Sequence, residues 1–194
     1  MKENPCLILS CALLVFVASG GTVRGDLLGF WPANEGAGDT VANASSDSGL
    51  DGTLNSGAWS GNSGGHTGKP GDYAFELEGS QNSSVDVALL DVDFEEITIT
   101  AWLKGSPTGD WTGLVQARDG AMPIGIGFRG NSGQLIYTWN DNSGEAYNFV
   151  SDLVIPADEW SFVALSLKPE ATTLYLGTTG PDGEPIEAVN EIDH

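Results

Sequence analysis

The sequence predicts an all-β fold, an antiparallel β-sandwich or jelly roll. Beyond residue 26 the apolar residues recur at every second position, which is typical of strands with one buried and one solvated face. Short segments rich in glycine, asparagine, aspartate and proline separate these stretches, as hairpin turns require. No stretch shows the period of an amphipathic helix. About ten short strands separated by such turns indicate two packed antiparallel sheets.

Two segments carry the strand pattern most clearly. The segment EITITAWLK, residues 96–104, places apolar side chains at alternate positions from Ile97 to Leu103. The segment WSFVALSLK, residues 160–168, repeats this alternation from Val163 to Leu167. Further strands are predicted at LLGFW, YAFEL, SSVDV, GLVQAR, IGIGFR, QLIYTW, AYNFV, TLYLG and PIEAV. The glycine-rich segment WSGNSGGHTGKPGD, residues 59–72, is predicted to be a long flexible loop inside the domain.

The first 25 residues are predicted to be a secretory signal peptide. Lys2 precedes the apolar run CLILSCALLVFVAS, residues 6–19, and small residues suited to cleavage follow near Gly25. This run is shorter than the ~20 residues that span a membrane comfortably. The sequence therefore predicts an export leader at 1–25 and a single domain at 26–194. This domain is expected to be secreted or to lie at the cell surface, without membrane insertion after the leader is removed.

Charge and cysteine content narrow the function of the predicted mature domain. Both cysteines, Cys6 and Cys11, lie in the leader, so no disulfide is expected to stabilise the domain. Beyond residue 25 the chain has 5 basic and 26 acidic residues, a formal charge near −21. Such a field repels phosphate backbones and anionic lipid surfaces. Nucleic acid is therefore not an expected partner.

Four segments, taken in order, carry a family resemblance. They are LLGFWPANEGAGDTVANASSDSGLDGTL, GKPGDYAFELEGSQNSSVDV, FEEITITAWLKG and IPADEWSFVALSLKPEATTLYLG. Together they resemble the laminin-G-like (concanavalin-A-like) jelly-roll domains of secreted bacterial proteins, over residues 27–177. Members of that family continue past the last segment with two or more strands, whereas this sequence ends at His194. The resemblance thus implies a sandwich that lacks its last strands.

The resemblance also implies a calcium site whose ligands come partly from the acidic opening loop. Asp39, Asp47 and Asp51 are the candidate ligands, and calcium is the candidate cofactor, because it accepts about six to eight oxygens in irregular geometry. The loop is not an EF-hand, since Gly49 and Ala58 occupy the third and twelfth positions counted from Asp47. The alternative is that these aspartates cap backbone groups in turns.

No complete catalytic constellation is present in the sequence. Jelly-roll glucanases similar to this family use two carboxylates on one strand face, and the nearest approach is EID, residues 191–193, which lacks the second glutamate. Glu76 and Glu78 share a predicted strand face, but no third acid completes the set. His66, in the glycine-rich loop, has no evident orienting partner. The sequence predicts a protein that is not an enzyme.

Aromatic and amide side chains predict a carbohydrate site. The candidates are Trp111, Tyr137, Trp139, Asn140 and Tyr147. Aromatic faces stack on sugar rings, and amides hydrogen-bond to hydroxyl groups. The alternative for two of these aromatics, at 137 and 139, is core packing, because they share one face of a predicted strand.

Three other tryptophans, Trp31, Trp102 and Trp160, are predicted to be structural.

The sequence as a whole predicts a recognition or adhesion module that binds a glycan or a cell-surface or extracellular protein. Two alternatives remain: a jelly-roll glycoside hydrolase fragment that lacks its catalytic half, and a structural spacer of a larger surface protein.

Overall fold

The computed structural model describes residues 6–10, 16–18, 25–46, 48–78, 83–88, 96–105, 112–119, 122–129, 132–140, 146–179 and 185–193. The strands within these residues are β1 (Cys6–Ser10), β2 (Phe16–Ala18), β3 (Gly25–Leu27), β4 (Thr40–Val41), β5 (Gly52–Asn55), β6 (Ala58–Trp59), β7 (Phe75–Glu78), β8 (Ser84–Asp86), β9 (Ile97–Lys104), β10 (Thr112–Asp119), β11 (Met122–Arg129), β12 (Gln134–Asn140), β13 (Ala146–Val154), β14 (Ser161–Leu167), β15 (Ala171–Thr179) and β16 (Pro185–Asp193). This part of the chain includes a 3-10 turn at Ser48–Leu50. None of its helices is long and apolar enough to cross a membrane.

These strands form three sheets in which the pairings are antiparallel. The largest sheet follows the order β16, β15, β14, β9, β1, β7, β6, and β2 also pairs with β9 and with β3. A second sheet has the order β10, β11, β12, β13, and a third has the order β4, β5, β8. The predicted all-β antiparallel sandwich is confirmed.

The core lies where the large sheet and the second sheet contribute to one apolar cluster. In β9 the buried positions include Ile97, Ile99, Ala101 and Leu103, which is the alternation read from the sequence. The second sheet contributes Ile126, Leu135, Tyr137 and Leu153 to the same cluster, and β14 and β15 contribute Val163, Leu165, Leu174 and Leu176. Alternate residues of a strand point to opposite faces, so the residues between these buried positions of β9 lie on the outer face of the sheet.

The opening region differs from the predicted strand LLGFW. The strand there ends at Leu27, yet Trp31 is only 4% exposed and its indole N–H donates to the carbonyl of Leu50 at 2.8 Å. The segment is apolar because a loop packs it into the core, and not because a sheet pairs it. Short strands at β4, β5 and β6, which the sequence analysis did not predict, follow it.

Two strands of the large sheet, β1 and β2, lie within the predicted leader. β1 pairs on one side with β7 and on the other with β9, while β2 pairs with the opposite end of β9. Leu9 is in register with both Phe75 and Leu103, and Ile8 with both Glu76 and Lys104. In this structure the leader therefore separates two strands of the domain.

Candidate functional site

The outer face of β9 carries one large aromatic residue, Trp102, among polar ones. Trp102 lies between the buried residues Ala101 and Leu103, so its side chain points away from the core and is half-buried. Its neighbour across the sheet is Phe162 of β14, with the ring centroids 5.5 Å apart and the planes tilted by 59°. This pair forms an aromatic floor on the outside of the sandwich.

The glycine-rich loop at 59–72 is held in shape by Asp72. Its carboxylate accepts a hydrogen bond from the backbone N–H of Thr67 at 2.7 Å and another from the hydroxyl of Thr67. Its backbone carbonyl accepts from the N–H of Gly65 at 2.9 Å. At the base of the loop, the N–H of Ser60 donates to the carbonyl of Ala74 at 2.9 Å. The loop predicted to be flexible is thus closed by its own hydrogen bonds.

Glycine is required at two positions of this loop. A side chain at Gly65 would collide with the carboxylate of Asp72 and would lie 2.7 Å from the carbonyl oxygen of Tyr73. Gly71 has a φ of +87°, which other residues rarely adopt, and its N–H donates to the side chain of Asn62 at 2.6 Å. The glycines therefore permit the tight path that brings the loop back onto the sheet.

His66 is the residue that this loop places over the aromatic floor. Its imidazole stacks on the indole of Trp102, with centroids 4.6 Å apart and planes 12° from parallel, and it meets the ring of Trp160 edge-on at 6.4 Å. The Nδ1 atom of His66 is buried and has no hydrogen-bond partner in the part of the chain that the structure describes. Trp102 and Trp160, predicted to be structural, thus also support a loop on the protein surface.

A pocket of about 390 Å³ opens beside this stack. It is lined by Ser60, Gly61, Ser63, Gly64, Gly65, His66, Thr67, Gly68, Glu76, Lys104 and Trp160. Glu76 on β7 and Lys104 on β9 bring one negative and one positive group to the same pocket, with the position of Ile8 between them in the sheet. The lining therefore combines aromatic rings, hydroxyl groups, glycine backbone and two opposite charges.

Tyr137, one of the predicted carbohydrate residues, does not line this pocket. Tyr137 is 1% exposed and belongs to the core, so its ring is not available to a ligand; the alternative of core packing is correct for this residue. Burial raises the pKa of Tyr137 to about 12, and a hydrogen bond with Thr172 of β15 offsets part of that rise. The hydroxyl is thus part of a polar contact between the two sheets.

The other predicted carbohydrate residues lie on β12 and β13 or outside the described residues. Trp139 and Tyr147 are register partners across these two strands, and Asn140 is paired with Ala146. The backbone pairing therefore places positions 139 and 147 opposite each other. Trp111 lies outside the described residues.

The predicted calcium ligands lie in a loop that forms internal hydrogen bonds. Asp39 is exposed, and the carboxylate of Asp51 accepts from the N–H of Asn43 at 2.9 Å. The side chain of Asn43 in turn accepts from the N–H of Phe30 at 2.9 Å. Asp47 lies outside the described residues. Among the described residues, no group of three or more histidine, cysteine, aspartate or glutamate side chains could hold a metal ion. The carboxylate of Asp51 thus caps a backbone N–H, as the turn-capping alternative expects, and the calcium site stays a prediction.

Sequence reasoning missed the pocket because its parts come from distant segments. His66, Trp102 and Trp160 are joined by a loop that folds back, and no short motif encodes this contact. One signal was available: in the alternation of 96–104, Trp102 falls on the face opposite the core residues. A large aromatic residue at such a position needs a cover or a ligand.

Comparison with protein families decides the family of the chain. The family model described as the concanavalin A-like lectin/glucanases superfamily, a laminin-G-like family, matches residues 78–184, more than half of the sequence. The chain belongs to this family. This laminin-G-like domain has no match among the curated proteins or among the solved structures. Family membership confirms the resemblance and supports a carbohydrate- or protein-binding module in general. Of the pocket residues, Lys104 and Trp160 lie inside the matched range, whereas the glycine-rich loop precedes it.

Proposed function

We propose that this laminin-G-like domain is an exported, non-catalytic recognition module that binds a glycan in the pocket beside His66. The observation that carries the proposal is the stack of His66 on Trp102, with Trp160 at its edge, next to Glu76 and Lys104. Aromatic surface packs against the C–H faces of sugar rings, while charged and hydroxyl groups hydrogen-bond to the sugar hydroxyls.

The shape of the pocket favours a glycan over a protein surface. Its volume of about 390 Å³ falls at the lower end of the range for small-ligand sites, roughly 300 to 1,000 Å³. Protein interfaces are broader, with about 800 Å² contributed by each partner. The hydroxyl groups of Ser63 and Thr67, together with Lys104, supply the kind of polar lining that orients a ligand rich in hydroxyls. A protein partner is the second candidate, since the family supports binding of either class.

The carboxylates of the pocket favour binding without catalysis. Glycoside hydrolysis requires two carboxyl groups on opposite sides of the scissile bond, one of which must donate a proton. The lining residues that the structure describes include one carboxylate, that of Glu76. In the sheet, the position of Ile8 lies between Glu76 and the cation Lys104. A hydrolase fragment and a structural spacer remain the competing functions. Release of reducing sugar that disappears in Glu76→Gln would establish the first in place of our proposal.

A glycan array with matched variants tests the binding site. Wild type should retain at least one glycan, and His66→Ala and Trp160→Ala should each weaken binding about tenfold, since a lost ring contact costs about 0.5–1.5 kcal/mol beyond the lost area. Tyr175→Ala is the control because Tyr175 is an aromatic residue that is 39% exposed on β15 and is not part of the pocket. The site assignment is wrong if no glycan binds, or if all three variants weaken binding equally.

A further inference from the structure

The predicted leader fills one edge of the central strand β9. β1 pairs with Trp102, Leu103 and Lys104, and β2 pairs with Ile97 and Thr98. The opposite edge of β9 is paired with β14 along its length from Ile97 to Leu103. Both ends of the first edge are therefore covered by residues that the proposed export removes.

Removal of the leader would leave a gap one strand wide. β7 and β9 are each antiparallel to β1, so they run parallel to each other on either side of it. Adjacent strands lie about 4.8 Å apart, so β7 and β9 are separated by roughly twice that distance. Their backbone N–H and C=O groups facing the gap would lose their partners, and unpaired backbone groups in a sheet are a template for another strand.

The residues that border the gap determine which side chains a strand needs in order to fill it. On the side of the core it is bordered by Phe75, Leu77 and Leu103, which belong to or pack against the apolar cluster. On the outer side it is bordered by Glu76 and Lys104. A strand that fills the gap must therefore be apolar at alternate positions.

We propose that the mature domain binds an extended, alternately apolar segment of another protein as an added strand along β9, in the place that the leader strands occupy here. The proposal rests on the export proposed above and on strand addition, in which main-chain hydrogen bonds supply affinity and alternate side chains supply specificity. The bound segment is neutral or basic, because the domain has a formal charge near −21.

The same charge disfavours a second copy of this chain as the donor. Two copies would bring together formal charges near −21 each, and this repulsion opposes association at moderate salt. A neutral or basic donor meets no such barrier. The acceptor gap therefore complements a foreign strand better than it complements the domain itself.

The added strand would also control the pocket. Glu76 and Lys104 are both in register with Ile8, so the strand in the gap sets the distance between the two charged groups of the lining. An empty or collapsed gap would change that distance. Glycan binding and strand binding are thus coupled through one sheet position, and by linkage each ligand should change the affinity for the other by the same factor.

A peptide exchange experiment tests the acceptor gap. The full chain, with a site-specific protease site in residues 19–24, is folded, cut, and mixed with the labelled peptide Lys-Ser-Leu-Ile-Leu-Ser-Lys, which repeats Cys6–Ser10 with serine in place of cysteine. The peptide should bind the cut chain saturably and the uncut chain at least tenfold more weakly, because the tethered leader competes at high effective concentration. Hydrogen exchange should show new protection at Ile97–Lys104.

Two controls keep the proposal open to refutation. A peptide with aspartate in place of both leucines should bind at least tenfold more weakly, and the uncut variant Leu7→Asp, Leu9→Asp should admit the original peptide as the cut chain does. Equal binding of both peptides, no binding in either sample, or a dimer in sedimentation when the leader is displaced would each overturn the proposal. Sequencing the N-terminus of the exported protein tests the leader separately, so the two failures are distinguishable.

Discussion

At the scale of single residues, Tyr137 links the core to alkaline stability. Burial raises the pKa of Tyr137 to about 12, from its usual value of 10.0, because the phenolate would be desolvated. On raising the pH, the unfolded chain therefore loses this proton before the folded chain does. The contribution of the neutral phenol to the free energy of unfolding is complete below about pH 10 and is lost as the pH rises through about 12. We expect stability to fall across this window by about 2 kcal/mol more in wild type than in Tyr137→Phe.

Urea unfolding of both proteins from about pH 9 to about pH 11.5 measures this difference. The slope against pH is the readout, since the loss of the hydrogen bond with Thr172 shifts the absolute stability of Tyr137→Phe at every pH. Tyr175→Phe, at an exposed position, is the matched control for loss of a phenol hydroxyl. Parallel curves for wild type and Tyr137→Phe would contradict the assignment.

Residue roles were predictable from sequence only where the strand face decides them. Ile136, next to Tyr137, is also buried, and the alternation alone left the role of Tyr137 open between core and ligand site. Its contact with Thr172 joins two sheets and has no signal along the chain. The stacking of His66 on Trp102 was missed for the same reason. Contacts between distant segments depend on tertiary packing, which periodicity does not record.

At the scale of elements, the glycine-rich loop depends on the carboxylate of Asp72. We expect Asp72→Ala to destabilise the protein by about 1–3 kcal/mol, because the N–H and hydroxyl of Thr67 would lose their acceptor. Asp72→Asn should lose less, since one side-chain oxygen remains as an acceptor. Hydrogen exchange at residues 63–68 should rise in Asp72→Ala, and tryptophan fluorescence should change as His66 leaves Trp102.

Glu170→Ala is the matched control for this loop. It removes one negative charge at an exposed position in the turn before β15, far along the chain from Asp72. It should leave both the exchange at residues 63–68 and the tryptophan fluorescence unchanged. If Asp72→Ala behaves like Glu170→Ala, the hydrogen bonds of Asp72 do not hold the loop, and the pocket needs another explanation.

Long strands were predicted well and the opening region was not. The alternations at 96–104 and 160–168 became β9 and β14, because several consecutive burials on one face leave a strong period-two signal. β4 and β6 have two residues each, too few to show any period. The apolar stretch around Trp31 gave a false strand, since a loop can bury apolar residues without pairing in a sheet.

At the scale of the whole molecule, family and charge describe different properties. The sandwich and the family match indicate what kind of module this is, and the pocket is the place where we propose that it binds. The excess of acidic residues is a separate property from the sandwich architecture. These residues repel one another in a mature domain for which no disulfide is predicted. In our proposals, the choice of partner follows the charge of the domain, and the place of binding follows its packing.

This field makes the stability of the protein sensitive to salt. We expect the melting temperature to rise by a few degrees as sodium chloride increases from about 0.05 M to about 0.5 M, because screening shortens the Debye length from roughly 14 Å to roughly 4 Å and weakens the repulsion among 27 acidic residues.

The calcium prediction expects a higher melting temperature in calcium than in magnesium at matched ionic strength, since an ion bound only by the folded state stabilises it. Asp39→Asn with Asp51→Asn should remove that increment, whereas Asp152→Asn, an exposed control on β13, should retain it. Equal melting temperatures in calcium and magnesium would contradict the calcium prediction without affecting the salt prediction. No rise with sodium chloride would show that repulsion among the acidic residues does not lower the stability of this fold.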